Sequence, residues 1–441
     1  AYAPLEISFS RADGEQELSG LTTNLPEGLA ARLAGVPLCS RENAAAGTCP
    51  EASRVGSVQA FAGPGSDPLE LHGSAYLTGP YKGAPYGLSV VVPAIAGPFN
   101  LGTVVVRQAL FVDEHDAHVT AVSDPLPTIL DVTGANGATD GLPVRLRRVE
   151  VSIDRPDFTI NPTNCQPLAI SASFLSKEGA SASTSSSFQI ANCANLKFTP
   201  EFHASILAQA SKANGVALTT KLTFPAQALG TQANVAKVKV ALPLQLPSEE
   251  KTLAQACVAS VFNHDPDQCP AASMVGHAIA HTPLLAEPLT GTAYLVSHAA
   301  EAFPSLVTVL HGNGITFDLV ASTLVKNGIT SSTFDTVPDV PVSSFELTFP
   351  AGPFSLLGAN LPETAHYNFC GRQMSLSTTF VAQNGMETSG QTPIALTGCA
   401  KSTAKHVKHR TKKSGCRKGT RHGRHQRACQ ARVRQRRATA K

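Results

Sequence analysis

The chain has 441 residues, 42% of them hydrophobic and only 15% charged, with 34 Gly, 31 Pro, ten Cys and no Trp. That length suits two to four domains with real cores, and Gly and Pro are too few for a collagen-like or low-complexity chain. No apolar run approaches the roughly 20 residues of a membrane span, and the lack of Trp argues against an aromatic platform for sugars or bases. The net charge of +3 conceals two opposite parts. Sixteen Lys and Arg and no acid lie in 401–441, which leaves 19 basic against 32 acidic residues before it, a net of −13.

In chain order, the start Ala1-Tyr2-Ala3-Pro4 reads as a processed export substrate. A strand follows at Leu5–Phe9, and a short helix is expected over Pro26–Leu33. Cys39 and Cys49 are ten apart. Val149-Glu150-Val151-Ser152-Ile153 alternates apolar and polar, the period of a half-buried strand, and Leu88–Val92 and Gly102–Val106 are short, β-branched runs bounded by Pro or Gly. Cys165 and Cys193 stand 28 apart.

The order then repeats. Cys257 and Cys269 are 12 apart, Cys370 and Cys399 are 29 apart, and Cys49-Pro-Glu-Ala-Ser-Arg-Val-Gly56 matches Cys269-Pro-Ala-Ala-Ser-Met-Val-Gly276. Gly73-Ser-Ala-Tyr-Leu77 matches Gly291-Thr-Ala-Tyr-Leu295, and Leu5–Phe9 matches Lys221–Phe224. A second short helix is expected over Ser248–Ala256, with Ser248 as its cap. His311-Gly-Asn-Gly314 between apolar runs marks a hairpin. Matched motifs in one order at near-constant offset indicate duplication of a whole unit.

The expected architecture is therefore all-β: two tandem β-sandwich-like units at 1–197 and 215–400, a linker at 198–214, and a disordered basic tail at 401–441. The duplicated spacing predicts Cys39–Cys49, Cys165–Cys193, Cys257–Cys269 and Cys370–Cys399. Each bond stabilises its unit by roughly 3 kcal/mol. Cys416 and Cys429 can close a further loop in the tail. Because each unit carries its own strands and cysteines, residues 215–400 are expected to fold alone.

Several clusters are candidates for chemistry. Asp113, Glu114, His115, Asp116 and His118 offer metal-type ligands, but a solvated hairpin tip accounts for them better. Asp265 and Asp267 beside His264, and the pair His277 and His281, are read as loop solvation and coincidence. Tyr81 and Tyr86 in the Gly79–Gly87 loop are either a binding loop or packed tyrosines. No catalytic, nucleotide or metal motif is present, so no cofactor, metal or catalytic residue is assigned.

The tail has the plainest physics. Lys405, Lys408, Arg410, Lys412, Lys413, Arg417, Lys418, Arg421, Arg424, Arg427, Arg432, Arg434, Arg436 and Arg437 form a polyanion-binding segment with no acid to neutralise it. Such a segment repels itself and binds polyanions through counterion release. The duplicated Cys-Pro-x-Ala-Ser-x-Val-Gly and Gly-x-Ala-Tyr-Leu units, with this tail, resemble exported proteins of unknown function from high-GC actinobacteria. The resemblance implies export and surface residence. The expected role is a structural or adhesive protein held at anionic wall polymers by its tail. The alternatives are a secreted hydrolase with a site between the units, and a nucleic-acid-binding protein acting through the tail.

Overall fold

The computed structural model describes residues 2–133, 139–225, 229–299 and 301–399. The body, Ala1–Cys399, is one compact unit. Its first half supplies ten principal strands: β1 (Leu5–Ser10), β2 (Leu18–Asn24), β3 (Arg54–Ala62), β4 (Leu69–Thr78), β5 (Tyr86–Ala96), β6 (Phe99–Val112), β7 (Val119–Ser123), β8 (Leu146–Ile153), β9 (Leu168–Ser176) and β10 (Ser181–Phe188). One strand, β11 (Glu201–Leu207), follows. The second half supplies ten more: β12 (Leu218–Thr223), β13 (Val235–Ala241), β14 (Met274–His281), β15 (Leu289–Ser297), β16 (Ser305–Gly312), β17 (Ile315–Lys326), β18 (Ile329–Phe334), β19 (Ser344–Phe349), β20 (Ser375–Ala382) and β21 (Glu387–Thr397).

The two halves share one topology. The first sheet runs β1-β8-β3-β4-β5-β6-β7-β2-β9-β10, and the second runs β12-β19-β14-β15-β16-β17-β18-β13-β20-β21, each strand being the counterpart eleven places on. The repeated sequence motifs occupy equivalent places. Ser53 and Ser273 each donate a side-chain hydrogen bond to the carbonyl of the proline three residues earlier, at 2.7 Å. Val55 and Val275 are buried. Register shifts between Arg54 and Gly56 against β4, and between Met274 and Gly276 against β15, place the same bulge in both halves. A Cβ on Gly56 or Gly276 would collide with the backbone of β8 or β19, which explains why both are glycine.

Each half is thus a single curled sheet, not two facing sheets as the sandwich reading has it. A sheet with one apolar face buries that face by curling on itself. In the second half β11 completes the curl. It pairs antiparallel with β12 and parallel with β21, so hydrogen bonding runs through eleven strands and back to its start. The segment read as a linker therefore supplies a structural strand, and a unit cut at 215 loses it. Among the described residues of the first half, no strand takes this place. Its edges are β1 and the Ser-rich, exposed β10, although Phe9 of β1 and Phe174 of β9 approach to 5.6 Å between ring centroids.

The short helices differ from expectation. In the first half the helix is Arg41–Ala46, inside the Cys39–Cys49 loop, where Ser40 caps Asn43 N and Gly47 adopts φ 70°. The stretch 26–33 instead contains a two-residue strand, Ala30–Ala31. In the second half the helices are Glu250–Leu253 and Ala259–Phe262, and Ser248 spends its hydroxyl on Thr330. The Asn313-Gly314 turn is as expected, both residues at positive φ.

Candidate functional site

Period-two alternation around a curled sheet sends every second side chain inward. In the first half the inward rows include Leu5, Ile7 and Phe9 of β1, Leu88 and Val90 of β5, Leu110 and Val112 of β6, and Val151 and Ile153 of β8. They do not fill the interior. A cavity of about 310 Å³ remains, and its far wall is supplied by the second half: Ala280, Leu289, Leu310, Ile315, Phe317, Leu319 and Phe345, with the 337–342 connection. A second cavity of about 160 Å³ lies within the second circuit, bounded by residues such as Leu218, Leu295, Leu306 and Phe380. Leu319, Val337, Val342 and Phe345 line both.

The lining is almost entirely hydrocarbon. The polar side chains on the larger cavity are Thr23, Tyr86, Gln108, Thr159 and Thr282. Two of these are already committed: Tyr86 donates its hydroxyl to Asn313 O at 3.1 Å, and Thr282 to Pro341 O at 2.8 Å. No carboxylate, imidazole, amine or thiol lines either cavity. The hydrolase alternative thus finds no acid–base pair there. What such a space can do is exclude water around an apolar molecule.

The two halves are joined around this space by specific hydrogen bonds. Leu33 N and Ala34 N donate to Leu284 O, and Asp318 N donates to Glu114 O at 2.8 Å. The densest link is Asp339, 1% exposed. Its carboxylate accepts from Thr163 N and Oγ1, from Asn164 N and Nδ2, and from Asn234 Nδ2, at 2.6–3.1 Å. Its own N–H donates to Glu27 Oε1 at 2.9 Å. Burial pushes the Glu27 carboxyl above its ordinary range, with the Asp339 N–H acting the other way.

The sequence candidates fall as follows. Asp113, Asp116 and His118 do converge, with ligand-type atoms within 4.8 Å of one another. They are engaged locally. Asp113 accepts from His115 N and Asp116 N, and Asp116 Oδ1 lies 2.6 Å from His118 Nδ1. Burial raises the Asp113 carboxyl, but those two N–H groups and the nearby imidazoles outweigh it and leave it low. The loop closes the β6–β7 hairpin and sets Ala117 against the cavity. Beside it Asp318 is raised chiefly by burial and next by Glu114, with His115 and His311 opposing. Its Oδ1 is buried without a partner. Asp265 accepts from Asp267 N and Gln268 Nε2, a loop cap. His277 and His281 sit exposed on one face of β14.

In the aromatic loop, Tyr81 donates to Asp124 at 2.6 Å and lies under the Arg107 guanidinium at 3.8 Å. Lys82 also reaches Asp124 at 2.6 Å. These are packing roles; Tyr86 alone of that loop faces the cavity. The cysteines pair as 39–49, 165–193, 257–269 and 370–399, with Cα separations of 5.4, 5.6, 5.4 and 5.8 Å. Cys416, Cys429 and the basic residues from Lys405 to Arg437, expected to bind polyanions, lie outside the described residues. The cavity residues are the ones sequence reading missed. Their signal was the alternation itself.

No family model matches the chain, and no curated protein matches it. Among solved structures, a protein of Corynebacterium diphtheriae thought to be membrane anchored aligns over 90% of this chain and 86% of that one, at 11% identity and TM-score 0.20. A tetra-tandem repeat from the extending region of a large adhesion protein aligns over 88% and 99%, at 8% identity and TM-score 0.11. At these scores neither likeness bears on this chain's fold or function. Among the described residues no helix is long and apolar enough to cross a membrane.

Proposed function

We propose that this protein is exported and carries an apolar ligand, a lipid hydrocarbon chain, inside its β body. The single observation that carries this reading is the 310 Å³ cavity between the two halves, within the range of ligand sites, with no charged side chain on its wall. A well-packed interior holds few voids larger than a water molecule. An unfilled apolar cavity of this size forfeits contacts that a ligand would restore. Four disulfides fit an oxidising, extracellular setting.

The cationic tail supports a second element of the reading, retention at an anionic surface polymer. Sixteen Lys and Arg within 41 residues bind polyanions without sequence reading. The tail would hold the carrier at the envelope, where hydrocarbon ligands are found. The structural or adhesive role rests on the disulfide-stapled β units together with the tail, and a nucleic-acid role on the tail alone.

The test of ligand carriage is a titration of the purified full chain with a fluorescent fatty acid. Saturable one-to-one binding, lost in an Ala121→Phe variant whose ring takes up about half of the cavity, is the expected result. Non-saturable partition, or binding unaffected by that substitution, would remove the reading.

A further inference from the structure

The ligand-carriage reading rests on the larger cavity; the wall between the two cavities carries a more specific conclusion. That wall is one side chain thick, since Leu319, Val337, Val342 and Phe345 line both spaces. Two of the four come from the connection Val337-Pro338-Asp339-Val340-Pro341-Val342, which belongs to no helix or strand. It is tied along its whole length. Val337 N donates to Ala236 O at 3.0 Å, and Ser343 N donates to His281 O at 2.7 Å. Between those ends Asp339 accepts five hydrogen bonds, and prolines on either side fix two further backbone angles. The other two wall residues, Leu319 and Phe345, stand on paired strands.

We infer that this partition is a length gauge: it stops a bound hydrocarbon chain at the end of the larger cavity and so selects acyl chains of medium length. An apolar cavity of roughly 150 Å³ takes one benzene, six carbons. On that scale the larger cavity of about 310 Å³ takes about twelve carbons. The smaller, about 160 Å³, takes about six more, but only if the wall is breached. A ligand of eighteen carbons must then either leave its end in water or displace the pinned wall. A carboxylate head group stays outside the cavity, because the lining offers no charge to pair with it.

The prediction is a break in affinity against chain length. Each methylene buried tightens binding about fourfold. Saturated fatty acids from eight to eighteen carbons, titrated into the full chain by calorimetry, should follow that slope up to about twelve carbons and then level off or weaken. Phe345→Ala should move the break to about sixteen to eighteen carbons, by joining the two cavities. Val342→Ala is a milder change of the same wall and should move it in the same direction if Phe345→Ala fails to fold. A smooth rise through eighteen carbons in the unmodified chain would overturn the gauge while leaving ligand carriage intact. So would a break that ignores both substitutions. Absence of binding at every length would overturn carriage and gauge together.

Discussion

Removing the Asp339 carboxylate should destabilise the whole body, and the structure gives the size. Asp339→Ala leaves five donors without an acceptor: two on Thr163, two on Asn164 and one on Asn234. Thr163 is itself 2% exposed, so water cannot readily replace the carboxylate. A buried donor left unmet costs roughly 1–3 kcal/mol. The backbone N–H groups of Thr163 and Asn164 cannot turn away, whereas the three side-chain donors can partly reorient. The sum is then about 5 kcal/mol. Asp339→Asn keeps an oxygen for the two backbone donors and opposes one amide to Asn234, which costs about 2 kcal/mol. With about 2.1 cal/mol/K of unfolding entropy per residue, over Ala1–Cys399, each kcal/mol shifts Tm by about 1.2 °C. Scanning calorimetry at pH 7 should show drops of about 6 °C for Ala and about 2.5 °C for Asn. An Ala variant melting within about 1 °C of the parent, or Asn as damaging as Ala, would refute the reasoning that this network holds the partition and joins the halves.

Four further outcomes are expected. Asp318→Asn should raise Tm at pH 7: its folded carboxyl is raised above 3.8, so the stability it contributes is present below that value and is lost as pH rises through the folded pKa; the gain should shrink on acidification, and a pH-independent difference would count against it. Replacing both Cys39 and Cys49 by Ser should cost about 2.7 kcal/mol and replacing both Cys370 and Cys399 about 3.6 kcal/mol, in the loop-entropy account, read as unequal losses in denaturant midpoint. A fragment beginning at residue 198 should melt cooperatively at a higher temperature than one beginning at residue 215, because only the longer one contains β11; identical melting would show that the closing strand is dispensable. Co-sedimentation with isolated envelope should fall steeply with salt for the full chain and be absent for residues 1–400, since six or more phosphate-like contacts weaken by orders of magnitude between about 50 and 200 mM salt; equal retention of the two forms would make the tail a spacer.

Much of the architecture was legible because the duplication wrote it twice. The 10/12 and 28/29 cysteine spacings are those of the bonded pairs, and the Cys-Pro-x-Ala-Ser-x-Val-Gly motif marks one turn and one bulge in both halves. The same reliance on repetition hid β11. Glu201–Leu207 alternates like any strand, but no stretch of residues 1–197 repeats it, so a comparison of repeats assigns it to a linker. The helix Arg41–Ala46 carried its signals, Ser40 and Gly47, in a loop already explained by its disulfide. The cavity was illegible for a different reason. Leu88, Leu110 and Val151 alternate identically whether they meet opposing side chains or empty space, because periodicity reports which face is inside and not how much volume remains there. Asp339 reads, between Pro338 and Pro341, as a turn residue; only its distant partners Thr163, Asn164 and Asn234 reveal its place.

The most direct measurement is native mass spectrometry of the intact, disulfide-bonded chain after incubation with dodecanoic acid and removal of excess. A single one-to-one adduct is expected for the parent and none for Ala121→Phe, with both proteins showing the same charge-state distribution. Multiple weak adducts in both proteins, or no adduct in the parent, would contradict the claim that the β body is built to hold a hydrocarbon chain.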